Sequence, residues 1–147
     1  MPTVRELPPD ETGLAFEVMR ELRSHLESAE SFTTRVNELQ RPDGYRLVAS
    51  FEDGDDAPLG VGGFRVSHNL AWGRFLYVDD LVTAETSRSR GHGAALLRWL
   101  TDEAERLKCD QFHLDSGTQR TGAHRFYLRH RLDITAFHFA NQLPTAE

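Results

Sequence analysis

The spacing of apolar positions changes twice along the chain. Val4 to Leu7 predicts a short first strand, which ends at Pro8-Pro9. Asp10 then stands where it caps a helix expected from about Glu11 to Ser28. In that stretch Leu14, Val18, Leu22 and His25 recur at helical spacing, and Phe16, Met19 and Leu26 follow less regularly. A second short helix is expected from Ser31 to Gln40 with Ser31 as its cap, closed by the turn residues Arg41-Pro42-Asp43-Gly44. From there the pattern is that of strands. Tyr45 to Phe51, Leu59 to Val66 and Arg74 to Thr83 are expected strands, the first two separated by the acidic loop Glu52 to Asp56. Gly60, Gly62 and Gly63 weaken the second of these and point to a bulge or to close approach of another backbone.

Helical spacing returns from about Gly91 to Lys108, where Ala94, Leu97, Leu100, Ala104 and Leu107 mark a buried stripe. Gln111 to Asp115 is expected as a buried strand and Gln119 to His130 as a helix with Ala123, Phe126, Tyr127 and His130 on one side. A final strand at about Ile134 to Ala140 closes the chain. Helices first, then antiparallel strands, then strand-helix-strand-helix-strand predict an α+β fold whose later strands include a parallel crossover.

At 147 residues the chain is expected to form one domain, residues 1–147, long enough to bury a core without disulfides or metals. Charged residues make up 27% and the hydrophobic set 39%, the balance of an ordinary globular protein. The single cysteine, Cys109, excludes an intramolecular disulfide and fits a reducing, cytoplasmic setting. A net charge of −6 argues against a nucleic-acid-binding surface and is compatible with cationic substrates such as amines. No apolar run approaches the roughly 18 residues of a membrane helix, and the polar N-terminus lacks the apolar core of a signal peptide.

The stretch with most chemical content runs from Tyr77-Val78-Asp79-Asp80-Leu81-Val82 through Arg88-Ser89-Arg90-Gly91-His92-Gly93-Ala94. An apolar strand enters a glycine-containing loop that opens an amphipathic helix. Such a loop aims several backbone N–H groups at one point, and the helix N-terminus adds roughly half a positive charge. Gly91 and Gly93 remove side chains that would hold a diphosphate off the backbone, and Arg88 and Arg90 add positive charge. This predicts an anion site for a phosphorylated cofactor, with a helix start that merely uses glycine as the plain alternative. It is neither a Walker loop, since no Gly-Lys-Ser/Thr follows, nor a dinucleotide fingerprint, since Leu96 stands where the third glycine would be.

Arg88-Ser89-Arg90-Gly91-His92-Gly93 matches the Arg/Gln-x-x-Gly-x-Gly/Ala signature of the GCN5-related N-acetyltransferase (GNAT) superfamily, and the chain resembles that family. Tyr77 to Thr83 resembles the family's fourth strand. His113 to His130 resembles its fifth strand and following helix, with the Ala-x-x-x-Tyr pattern at Ala123 and Tyr127. The resemblance covers about Phe75 to Phe139; the first 70 residues fit in element order only. It implies a central, mostly antiparallel sheet with a splayed parallel strand pair, flanked by about four helices. It also implies an acetyl-CoA-dependent N-acetyltransferase, acting on a small-molecule or peptide amine through a ternary complex, with no metal.

Carried over residue by residue, the resemblance implies that backbone N–H groups of Ser89, Arg90, Gly91, His92, Gly93 and Ala94, flanked by Arg88, hold the CoA pyrophosphate. The backbone of Leu81, Val82 and Thr83 would pair with the pantetheine arm, and the N–H of Leu81 or Val82 would stabilise the developing oxyanion. Tyr127 stands at the family's tyrosine position and is the expected donor to the leaving thiolate, because a phenol with a pKa of about 10 is protonated at neutral pH. Its plain alternative is a core aromatic. Asp79 is the expected base, through a bridging water. It falls nine residues before Arg88, where some family members carry glutamate. Asp80 is the weaker choice, with a structural or loop-edge role for one or both as the plain alternative, and strand alternation puts Tyr77, Asp79 and Leu81 on one face and Val78, Asp80 and Val82 on the other.

The chain departs from the family pattern in two places. Arg131-Leu132 replaces the usual Gly-Phe or Gly-Ile after the tyrosine, and Arg120 stands where an asparagine is common, leaving its role open between CoA phosphate and solvent. His113, His124, His130 and His138 have no common zinc spacing and are expected as ordinary histidines. Cys109 is expected as a small packed hydrophobe. Trp72 and Phe75 are open between acceptor pocket and core, and Arg20, Arg23 and His25 between acceptor cleft and solvent. Two other classes stand beside the enzyme: a non-catalytic acyl-CoA-binding sensor of the same fold, and an oligomeric scaffold using the acidic loop and the final strand. Because family members often dimerise, a homodimer is also an expectation. The acceptor amine is not legible.

Overall fold

A computed structural model describes residues 2–145. Among these residues five strands form a single sheet in the order β1-β2-β3-β4-β5. They are β1 (Thr3–Glu6), β2 (Arg46–Phe51), β3 (Gly60–Asn69), β4 (Gly73–Thr83) and β5 (Gln111–Leu114). Every neighbouring pair is antiparallel except β4 with β5, which is parallel. The helices are α1 (Phe16–Leu22), α2 (Ala29–Arg35), α3 (His92–Arg106) and α4 (Thr121–Arg129). This is the mixed sheet, with one parallel pair and four helices, that the sequence predicts. The chain divides into two compact units between Leu114 and Asp115.

In the first unit each face of the sheet carries its own core. Leu47, Ala49, Val61 and Val82 pack with Phe16, Val18, Met19 and Phe32 from the α1–α2 side. Val48, Phe64, Leu76 and Val78 pack with Leu96, Leu100 and Ala104 of α3. Full burial of one leucine contributes about 2 kcal/mol, so the α3 stripe is sufficient to fix that helix on the sheet. Gly60 lets this happen, because a Cβ there would crowd Leu96.

The long first helix predicted for residues 11–28 is broken. A 3-10 turn at Pro9–Ala15 leads into α1, which stops at Arg23. The cause is Ser28, whose extended backbone and side chain, accepting from the Ser31 N–H, cap α2 and interrupt a continuous helix. Ser28 therefore takes the capping position expected of Ser31.

Strict alternation along β4 also fails. Gly63 pairs with Asp80, but Phe64 pairs with Val78, so Asp79 is an extra residue in a β-bulge. Val78 and Leu81 pack on the α3 side and Val82 on the α1–α2 side. Val78 is thus on the opposite face from Val82. The bulge expected from the glycines of β3 is present, and it falls at the two aspartates.

In the second unit α4 has no buried residue. His124 approaches the Gly117 carbonyl at 2.7 Å and His138 pairs with Asp115 at 3.1 Å. The final strand expected at Ile134 to Ala140 is not formed: residues 132–145 are neither helix nor strand. The alternation there expresses propensity alone, and a strand exists only through a ladder partner, which this segment lacks among the described residues. Ile134, Phe137 and Phe139 are accordingly exposed. No described helix is long and apolar enough to cross a membrane.

Candidate functional site

The register of the parallel pair determines what β4 offers. Pairing with β5 runs from Phe75↔Gln111 to Val78↔Leu114 and ends there. β4 continues for Asp79 to Thr83, paired with β3 on one edge only among the described strands. Leu81, Val82 and Thr83 therefore carry backbone groups along an edge that no strand covers, as the splayed pair predicts. Buried or half-buried backbone polar groups of this kind call for a partner.

Beyond β4 a 3-10 turn at Glu85–Ser87 brings the chain to the loop. Ser89 and Gly91 both have left-handed backbone, with φ of 71° and 88°. Gly91 is the N-cap of α3 and no side chain caps the helix. The first-turn N–H groups of a helix have no acceptor within it, and among the described residues no side-chain cap takes that place. A Cβ on Gly91 would meet nothing closer than Pro2, so glycine is used here for its conformation and for open access to the backbone. Arg88, Ser89 and Arg90 are exposed around this turn.

At the bulge both aspartates are engaged. Asp79 takes two hydrogen bonds from Arg65 on β3, each 2.8 Å. Asp80 accepts from Arg23 at 2.9 Å and from the Tyr45 hydroxyl at 2.8 Å, and Arg23 also donates to the Asp79 carbonyl at 2.9 Å. Burial, and then the nearby Asp80 charge, push the Tyr45 phenol well above its usual pKa, so it serves as a fixed donor. Arg23, left open between cleft and solvent, thus spans from the end of α1 to β4. No periodicity or motif marks Tyr45 or Arg65; the signal in the sequence is the Gly62-Gly63 pair, since a Cβ on Gly63 would overlap the Tyr45 hydroxyl.

Tyr127 belongs to the second unit, on α4, half-buried beside Phe126 with ring centroids 5.5 Å apart. Burial raises its pKa, opposed by the positive charge of Arg120. Its phenol keeps its proton at neutral pH. The first unit assembles Asp79, Asp80, the edge of β4 that no described strand pairs, and the loop Arg88 to Ala94; Tyr127 is placed within its own unit only.

Other candidates have ordinary surroundings. Trp72 stacks on His113 at 3.5 Å and meets Phe75 edge-on, so the three rings pack on one another at the start of β4. Cys109 is half-buried against the α3 core. No group of three or more potential metal ligands occurs among the described residues. A cleft of about 700 Å³ runs along the segment from α1 to α2, lined by residues including His25, Glu27, Phe32 and Arg35. None of its lining residues comes from β4 or the loop.

The comparisons with known proteins point the same way. The model of the acetyltransferase (GNAT) family matches residues 12–131. The uncharacterized N-acetyltransferase YhdJ of Bacillus subtilis is 34% identical over 118 residues, 80% of this chain and 81% of that protein. Among solved structures, a Trypanosoma brucei acetyltransferase has a TM-score of 0.81 at 16% identity, covering 97% of this chain and 100% of that one. The structure of AAC(6')-Iy with a bisubstrate analogue, CoA-S-monomethyl-acetylneamine, has a TM-score of 0.83 at 11% identity, covering 99% of both chains. With the loop signature in place at an uncapped helix start, and with this match along most of its length, the chain belongs to the acetyltransferase (GNAT) family.

Proposed function

We propose that the protein transfers an acetyl group from acetyl-CoA to a primary amine of a small molecule or peptide, by direct attack within a ternary complex. The observation that carries this reading is the edge of β4 from Asp79 to Thr83, which no described strand pairs, running into an uncapped α3 N-terminus. An extended edge followed by a cluster of N–H donors fits a long thioester with a diphosphate at one end. The AAC(6')-Iy structure, solved with a CoA-based bisubstrate analogue, has a similar fold.

In this reading the backbone of Ser89 to Ala94 holds the pyrophosphate and Arg88 flanks it. Leu81 to Thr83 bind the pantetheine arm, and an N–H of Leu81 or Val82 polarises the acetyl carbonyl. Asp79 receives the amine proton through a water, with Arg65 fixing the carboxylate. Tyr127 protonates the departing thiolate. Asp80 is committed to Tyr45 and Arg23 and holds the bulge in place.

The test is acetyl-CoA turnover across a panel of amines, with calorimetric titration of CoA alongside. Turnover with at least one amine and CoA binding are expected. Tight CoA binding with no turnover on any amine would favour a sensor, and absence of CoA binding would overturn the reading altogether.

A further inference from the structure

The phosphate loop is tied to the sheet by a buried hydrogen-bond chain. His92, the first residue of α3, is 1% exposed and Ser50 of β2 is 0% exposed. Ser50 Oγ lies 2.5 Å from His92 Nδ1, and His92 Nε2 lies 3.1 Å from Glu52 Oε1. Glu52 also pairs with Arg90 at 3.2 Å. The imidazole, and beyond it Arg90, hold the Glu52 carboxyl below its usual range, so it is a carboxylate that can only accept. Nε2 therefore carries a proton and donates to Glu52, and Nδ1 bonds the Ser50 hydroxyl. The trio has the residue types of a nucleophilic triad, but Ser50 is enclosed and no substrate reaches it.

Position gives the chain of bonds its consequence. The loop contains two left-handed residues, Ser89 and Gly91, on either side of Arg90, and its helix has no side-chain cap. A loop of this kind does not fix the direction of its N–H groups by local bonding. His92 follows Gly91 directly, and its ring is held from two sides by β2 and the residue just past it.

We propose that His92 is a positioning residue for acetyl-CoA: its ring, clamped between Ser50 and Glu52, sets the direction of the α3 N-terminal amides toward the pyrophosphate, and Glu52 orients Arg90 through the same carboxylate. This rests on the reading of the loop as the CoA phosphate site. An apolar residue of equal size fills the space but leaves the loop free to turn.

The experiment compares wild type with His92→Leu, Ser50→Ala/His92→Leu, Glu52→Gln and Glu52→Ala. Each is followed by thermal melting, by hydrogen exchange of the 91–95 amides without ligand, and by steady-state kinetics with acetyl-CoA varied. His92→Leu strands a buried hydroxyl, and the double variant removes that defect. The double variant is expected to recover melting temperature but to keep a KM for acetyl-CoA about tenfold raised, with kcat nearly unchanged and faster loop exchange. Glu52→Gln retains an acceptor for His92 and is expected to stay closer to wild type than Glu52→Ala. If the double variant recovers KM together with stability, or if loop exchange is unchanged in His92→Leu, the clamp is structural only and the proposal is overturned. If wild type itself fails to bind CoA in calorimetry, the loop reading fails and the proposal with it. That result is distinct from the case in which wild type and variants bind equally well.

Discussion

The Tyr45 hydroxyl donates to Asp80 at 2.8 Å across the bare face of Gly63, the residue that pairs with Asp80 in the β3–β4 ladder. Glycine at position 63 is therefore a requirement of the tyrosine and not of its own backbone conformation. Gly63→Ala is expected to destabilise the protein by about 1–3 kcal/mol, read as a shift of the urea midpoint. Tyr45→Phe in the same chain is expected to give little relief, because ring carbons as well as the hydroxyl stand too close for a Cβ.

The Arg65–Asp79 pair separates two roles for the aspartate. Asp79→Asn is expected to lower kcat by about 10²-fold or more, with little change in the KM for acetyl-CoA. Arg65→Ala leaves the carboxylate in place but unfixed, and is expected to have a smaller effect than Asp79→Asn. Should both variants lose activity equally, the ion pair itself would be what the reaction needs, and the assignment of Asp79 as a proton acceptor would fall.

Tyr127→Phe removes only the phenol oxygen from a half-buried ring. A decrease in kcat of about 10²-fold is expected, with an unchanged melting temperature. Because burial raises the phenol pKa, the Tyr127 hydroxyl stays protonated through neutral pH, and loss of activity from its ionisation is expected only on the alkaline side of the ordinary phenol range. Rates equal to wild type at neutral pH would take Tyr127 out of the mechanism.

Glu103 of α3 is buried, with Arg106 at 2.7 Å on each oxygen and Arg46 at 2.6 Å. The Arg106 hydrogen bonds, with Arg46 adding to them, lower its pKa from 4.5 to about 2. The folded value is depressed, so the stabilisation is fully present above the unfolded pKa and is lost as pH falls through the window from 4.5 to about 2. Its size is about 2–3 kcal/mol, allowing for screening of the exposed Arg106. Chemical denaturation between pH 6 and 2 is the measurement, and Glu103→Gln is expected to flatten the profile over that window.

What could be read from the sequence was local. The strand–loop–helix at Tyr77 to Ala94 was legible because one short stretch contains the strand, the glycines and the helix start. The bulge position was not, since it depends on which β3 residue faces Asp80. Nor were Arg65–Asp79 and Ser50–His92, which join separate elements through side chains whose spacing has no periodicity. The predicted strand at Ile134 to Ala140 shows the opposite limit: alternation marks a segment able to pair, and the described residues offer it no partner.

The extra residue at Asp79 puts the two halves of β4 out of phase. Before it, the side chains that seal the α3 core keep one rhythm; after it, the stretch leading to the loop keeps another. Removing one residue at Asp79 would let the ladder close without reversing either half, whereas removal anywhere else in the strand would turn one half inside out. The chain can thus change the chemistry at this one position without disturbing the packing on either side, as a hinge pin can be replaced while both doors stay hung.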